Sequence, residues 1–482
     1  MKLSFCFASI VLLFLVSCKK ELPTEPSIVI PSDSDSIIFS KHIQPILKQS
    51  CAGIGCHING EKFNGVSLDS WQDIFNGSKL GAIVVPFSGK KSLLLSIINS
   101  DTLFAPVSTP SMPFGRNKLP LSYIKTIKRW IDEGAKNDNS EINLDSPNRQ
   151  RIFLTSQSED KVSVIDLEKK LLTRFITVGN RDDNTTPPEA PHNIALSPDK
   201  KYFYVNLIAS GYIEKYSTET YKKLGELRVG SSPSQIILTK NGENLFVSNF
   251  NTNEKFIFMV NTKNMTVIRT IEEVGRGSHS LVLSQDEKFL YSANAYGDEI
   301  SEIDLTTFEV TRRLSIIPNS PLAPNGVATV EPYHLILSKN GRTIYVSCRK
   351  HSEVRVIDIP KWQVIDSIKV GNRPLIIAFT PNEDEIWVPN QADNSLSIIN
   401  ILNSKVTQTI SGFKSQPHAI AFTQNSSKAY VTCENQKDPE LHHPIIGNST
   451  VSGLVYEVNV LTKSINSNIE VGGFAAGIVI KE

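Results

Sequence analysis

The sequence predicts a chain of two parts: a small all-α domain, then an all-β seven-bladed β-propeller over residues 151–482. Two patterns carry that prediction. Between about residues 37 and 140, apolar residues recur at spacings of three and four, the period of a helix with one buried face. Beyond residue 150 an aromatic–aliphatic strand motif returns seven times, with its aromatic at 153, 204, 246, 291, 345, 387 and 430. The intervals are 51, 42, 45, 54, 42 and 43 residues, and four short strands in a period of that length make a propeller blade. A chain of 482 residues with net charge +1 is long enough for two or three domains. Its charge gives no electrostatic case for nucleic acid.

The N-terminus reads as an export signal. Lys2 supplies positive charge, and Leu3 to Val16 is an apolar run too short to span a bilayer. Leu15-Val16-Ser17-Cys18 resembles the bacterial lipobox, which implies that residues 1–17 are removed and Cys18 carries lipid. The alternative is ordinary cleavage that leaves Cys18 a free thiol. Residues 18–36 contain three prolines and a Ser-Asp-Ser-Asp-Ser run, and read as a tether. The expected location is therefore the cell envelope, exported and lipid-anchored on the periplasmic side or the surface.

Residues 37–140 read as the small helical domain. Ile38, His42, Ile43, Ile46 and Leu47 share one face of a helix ending just before Cys51. His42 on that face is expected to pack rather than ligate. A second helix spans Ser122 to Ala135, with Ser122 as N-cap, Ile124, Ile127, Trp130 and Ile131 inward, and Gly134 near its end. Between them stands Cys51-Ala52-Gly53-Ile54-Gly55-Cys56-His57. Two thiols followed at once by an imidazole is the arrangement that attaches a haem and ligates its iron, here with four residues between the cysteines instead of two. A Cys51–Cys56 disulfide and a zinc site remain open alternatives, the second weakened by the want of further nearby cysteines. Met112 is the sole methionine between the initiator and residue 259, and a thioether opposite a histidine suits six-coordinate haem iron.

With Ile43-x-Pro45-x-Leu47, Pro86, Ser92, Met112-Pro113 and Trp130-Ile131-x-x-Gly134-Ala135, this stretch resembles the cytochrome c domains of planctomycetes and Bacteroidetes. The resemblance implies one covalent haem c on Cys51 and Cys56, with His57 proximal and Met112 distal.

A Pro-bearing segment near 139–151 marks the boundary. The motif strands include Phe203-Tyr204-Val205-Asn206, Leu245-Phe246-Val247-Ser248, Tyr345-Val346-Ser347-Cys348 and Tyr430-Val431-Thr432-Cys433, and resemble the YVTN-repeat family. Turns such as Ser197-Pro198-Asp199-Lys200 and Lys339-Asn340-Gly341 precede them. The first repeat lacks an innermost strand, so Phe474 to Ile480 is expected to complete blade one and leave no open edge. Cys348 and Cys433 occupy matching places in blades five and seven, which are not neighbours; buried free thiols are expected.

Strand alternation puts three insertions on one face: Asn180 to Ala190, Ile317 to Glu331 and Glu434 to Gly453. His192, His279 and His418 start innermost strands at matching positions, and His334 is one residue out of register. His351, His442 and His443 fall in loops of the same face. Repeat inheritance is one account of them; a second site for a ligand, metal or cofactor is the other.

Together these features predict a membrane-anchored c-type cytochrome. It would transfer one electron through its haem to a redox partner protein, with the propeller as the docking or ligand-binding module. No residue is assigned a bond-breaking role. Two alternatives remain. The domain order is similar to that of the cytochrome cd1 nitrite reductases, which implies a second cofactor on the propeller with His192, His279, His334 or His418 as ligands or proton donors. Those propellers have eight blades, against seven here. The other alternative is a surface-binding propeller whose small domain is structural.

Overall fold

Seven four-stranded antiparallel sheets make up the second part of the chain. The structure is a computed structural model that describes residues 28–79, 81–108, 111–180, 188–317, 327–434 and 452–482. Each expected motif strand is the second strand of its blade, as in Arg151–Ser156, Tyr202–Leu207, Thr343–Cys348 and Lys428–Cys433. These strands are buried along nearly their whole length, because blades cover both of their faces. The last strand, Ala475–Lys481, pairs with Arg151–Ser156 and sets Ile480 opposite Ile152. The ring is thus closed by the chain's own end, as the missing first strand requires.

A hydroxyl or amide near the end of the second strand ties one blade to the next. Thr155 Oγ1 donates to His192 O at 2.9 Å, Ser248 Oγ to His279 O at 3.1 Å and Ser347 Oγ to Leu375 O at 2.7 Å. Thr432 Oγ1 reaches Ala476 O at 2.7 Å, and Asn206 Nδ2 reaches Pro233 O at 2.5 Å. All five acceptors lie on or beside an innermost strand, so each latch pins a channel-lining segment to the preceding blade. Gly477 serves the same closeness: a Cβ there would stand 2.8 Å from His192 O. Cys348 and Cys433 are buried free thiols, as expected.

The first part is less helical than the sequence suggests. Among the described residues four short α-helices form: α1 (Gln44–Cys51), α2 (Trp71–Ile74), α3 (Leu93–Ile98) and α4 (Leu121–Asp132). A π-helical turn over Phe39–Ile43 leads into α1, which includes Cys51 instead of stopping before it. Ser122 does not cap α4. Pro120 is the N-cap, while the Ser122 carbonyl accepts from Thr126 Oγ1 at 2.9 Å inside the helix. At the other end Ala135 N–H donates to Trp130 O and Gly134 adopts φ +105°, a left-handed stop. His42 packs as expected, buried and accepting the Ile38 N–H at 3.0 Å.

A separate all-α domain is therefore not what forms. The segment has a core around Ile43, Leu47, Ile124, Ile127 and Trp130, but Ala82 and Val85 belong to a cluster with Ile152, Leu171 and Val455 of the propeller. Lys91 is buried against Glu159 and lies 4.5 Å from the Phe175 ring centre, while Arg174 sits 4.2 Å over Phe87. The physical reason is burial: helices this short leave apolar surface that blades one and seven help to cover. Glu159→Ala is expected to lower the unfolding free energy by about 3 kcal/mol, since it strands a buried ammonium. Urea denaturation checks this, and Lys91→Met with Glu159→Leu should restore most of the loss.

Candidate functional site

Two places gather the residues singled out in the sequence. The first is in the N-terminal segment. α1 carries Cys51 to its end, a turn closed by Cys56 N–H to Gly53 O at 3.1 Å follows, and His57 comes next. His57 Nδ1 is 3.2 Å from Val66 O, which fixes the ring and leaves Nε2 free of that contact. A cavity of about 570 Å³ is lined by Cys51, Cys56, His57, Met112, Phe114 and Arg116. A smaller one of about 70 Å³ shares Cys51, His57 and Met112 with it. The structure thus brings together all four expected haem-binding residues. Burial pushes the Cys51 thiol up to about 12, and both cysteines are free thiols.

The second place is the propeller axis. His192, His279 and His418 each stand second in an innermost strand, of blades two, four and seven, and His334 stands third in that of blade five. No two of the first three blades are neighbours, yet the His192 ring centre lies 5.7 Å from that of His279 and 5.4 Å from that of His418. The His192 ring thus lies beside both of the others.

Their tautomers follow from their partners. His279 Nδ1–H donates to Tyr333 O at 2.8 Å, and His418 Nδ1–H to the buried Glu434 carboxylate, which also accepts from Gln391 Nε2 at 2.6 Å. His192 Nδ1 faces Gln157 Oε1 at 3.2 Å. In His192 and His279, whose neutral form burial favours, Nε2 is consequently the lone-pair nitrogen. Gln235 accepts the Leu281 N–H at 2.5 Å, so its amide nitrogen points to His334 Nε2 at 3.5 Å. His334 Nδ1 and His418 Nε2 are buried without a hydrogen-bond partner. Burial holds His192 and His334 down to about 3, and His279 well below the usual imidazole range.

Sequence reasoning missed the ledge beside these rings. Tyr333 stacks on His279 at 3.7 Å and Phe250 stacks on Tyr296 at 4.7 Å, with Phe250 edge-on to His279 at 4.9 Å. The Arg349 guanidinium lies 4.8 Å from the Tyr333 ring centre and pairs with Glu331 at 2.7 Å. Phe250 and Arg349 each directly follow a second strand, Asn244–Asn249 and Thr343–Cys348, a register that points to this face. His351 lies between the strands Thr343–Cys348 and Glu353–Asp358 of blade five, 3.4 Å from Arg355. Cys18, His442, His443 and much of the three insertions lie outside the described residues.

The chain matches the model of a family described as lactonase, seven-bladed β-propeller, over residues 141–312. Antigen Lp49 of Leptospira interrogans is 23% identical over 70% of this chain and 72% of its own length. Protein YncE of Salmonella typhimurium is 23% identical over 39% of the chain, and protein NirF of Pseudomonas aeruginosa 20% identical over 47%. The alignments span half of YncE and 59% of NirF.

These findings correct the reading of the chain as a membrane-anchored c-type cytochrome whose work is one-electron transfer. The family match is to a propeller, and the relatives above fit a propeller protein. Among the described residues no group of three or more His, Cys, Asp or Glu is placed to hold a metal ion. The thiol–imidazole motif is compact in sequence, whereas the propeller spreads its signal over more than 300 residues.

The axial histidines make stability depend on acid. An unfolded histidine takes up a proton below about pH 6.5, whereas folded His192 and His334 resist until about 3. Their stabilisation is complete above 6.5 and lost as the pH falls toward 3. Denaturation at pH 7.5 and 4.5 should differ by about 2 kcal/mol for each of the two rings, and His192→Phe should remove about half of that difference.

Proposed function

We propose that the protein is an exported binding propeller, held to the cell envelope through lipid on Cys18, that engages a partner protein with its loop-bearing face. The ledge of Phe250, Tyr296 and Arg349, backed by the buried Tyr333, carries this reading. Aromatic rings and arginine are the side chains that protein interfaces concentrate, because they cover large areas at low entropic cost. Here they sit on the face from which the insertions leave, on a scaffold closed by its own terminal strand. The Leptospira relative is named an antigen, and a surface position for this chain agrees with that name.

Occupancy of the N-terminal cavity is a separate proposal. Cys51 and Cys56 would tether a haem c, with His57 and Met112 facing its iron, supported by the single cavity that the four side chains line. The binding function does not rest on it, and no electron transfer is assigned to it. A pyridine haemochrome spectrum of the exported chain reads the covalent group directly, and Cys51→Ala with Cys56→Ala should abolish the signal.

The test of binding is an array of envelope proteins probed with the full chain. Tyr296→Ala combined with Arg349→Ala is expected to weaken a captured partner at least tenfold, while Cys51→Ala leaves affinity unchanged. A partner indifferent to the ledge variant, or lost with Cys51→Ala, counts against this assignment.

A further inference from the structure

We infer that the cavity beside the Cys51–His57 turn takes an apolar molecule that bears a carboxylate, and that Arg116 at its rim receives the carboxylate. The inference is independent of the partner-binding reading. For a porphyrin occupant it rests on the haem proposal above; for a free apolar acid it stands without it.

The walls define the body of the molecule. Ile54, Phe114 and Phe63 are 101%, 77% and 52% exposed, and all three line this one cavity of about 570 Å³. Exposed apolar side chains scattered singly need no explanation, whereas three large ones around one opening mark a ligand groove. Phe63 also lines the smaller cavity of about 70 Å³, whose walls include Val66, Leu68, Leu94, Ile97 and Ile98. Cys51, His57 and Met112 are common to the two. The recess thus continues inward between aliphatic walls, the lining that small-molecule sites favour.

The rim defines the head group. Among the described residues no aspartate, glutamate or lysine lines the larger cavity, and Arg116 supplies its guanidinium. Arg116 is exposed, and among the described residues no ion pair engages it. Gly53 makes room for its head: a Cβ there would stand 2.9 Å from Arg116 Nη2 and 3.0 Å from Cys56 Sγ. The guanidinium therefore rests over the turn between the two cysteines, at the mouth of an apolar recess. Its planar fork of N–H donors matches a carboxylate two bonds at a time. One cation balances one carboxylate, whereas a phosphate dianion would keep excess charge against apolar walls. An apolar body with a carboxylate satisfies walls and rim together. A porphyrin and a long-chain fatty acid are two sources of that chemistry.

The experiment is equilibrium titration of the full chain in a Cys51→Ser, Cys56→Ser background, so that no covalent group competes. One arm compares metal-free protoporphyrin IX with its dimethyl ester; the other compares dodecanoate with dodecanol. In at least one arm the acid is expected to bind at least tenfold tighter than its neutral counterpart, and that arm names the source. Arg116→Gln should abolish the preference and Arg116→Lys keep part of it, while Phe114→Ala should weaken acid and neutral probe alike. Circular dichroism of the unliganded variants separates a lost site from a lost fold. Absence of binding in both arms, or an acid preference unchanged in Arg116→Gln, overturns the assignment. The haemochrome spectrum of the exported chain keeps the two proposals apart. An intact acid preference without covalent haem sinks the haem reading alone, and covalent haem without the preference sinks this one alone.

Discussion

The latch between neighbouring blades is the interaction on which the rest of the propeller depends. A sheet of four short strands cannot bury both of its faces alone, so every blade is stable only against the next. Hydrophobic packing supplies most of that contact and is non-directional. The hydroxyls of Thr155, Ser248, Ser347 and Thr432 add direction, because each reaches an acceptor on or beside the following innermost strand. Two of the acceptors are the carbonyls of His192 and His279 themselves. The same bonds that set the blades in register thus hold the axial rings in place.

The N-terminal segment shows the limit of local chemistry as a guide to function. Cys51, Cys56, His57 and Met112 do line one cavity, so the motif's geometry was legible. Its weight was not. A motif of seven residues announces itself in any window, whereas propeller kinship is spread thinly over long alignments of about 20% identity. The segment also proved to be joined to blade one by Lys91–Glu159 and by Ala82 and Val85. None of these positions breaks a sequence pattern. A buried lysine reads like an exposed one until its partner, 68 residues away, is seen.

Legibility in the propeller followed periodicity. The seven second strands, the closing terminal strand, the matching histidines and the buried Cys348 and Cys433 all follow from a repeat that keeps its register. What the repeat hides is whatever breaks from it. Tyr333 and Phe250 read as ordinary aromatic residues, and Gln235 and Glu434 as ordinary polar ones, because their roles depend on residues in other blades.

The sequence by itself determined that there are seven blades, where each strand lies, and that four histidines begin or nearly begin innermost strands. Those are consequences of local hydrophobic alternation and turn chemistry, which any short window contains. Only the tertiary structure decided that the ring of blade two meets those of blades four and seven. His192 and His279 are 87 residues apart in the chain and 5.7 Å apart in space. Their meeting is set by ring closure, and closure is a property of all seven blades at once.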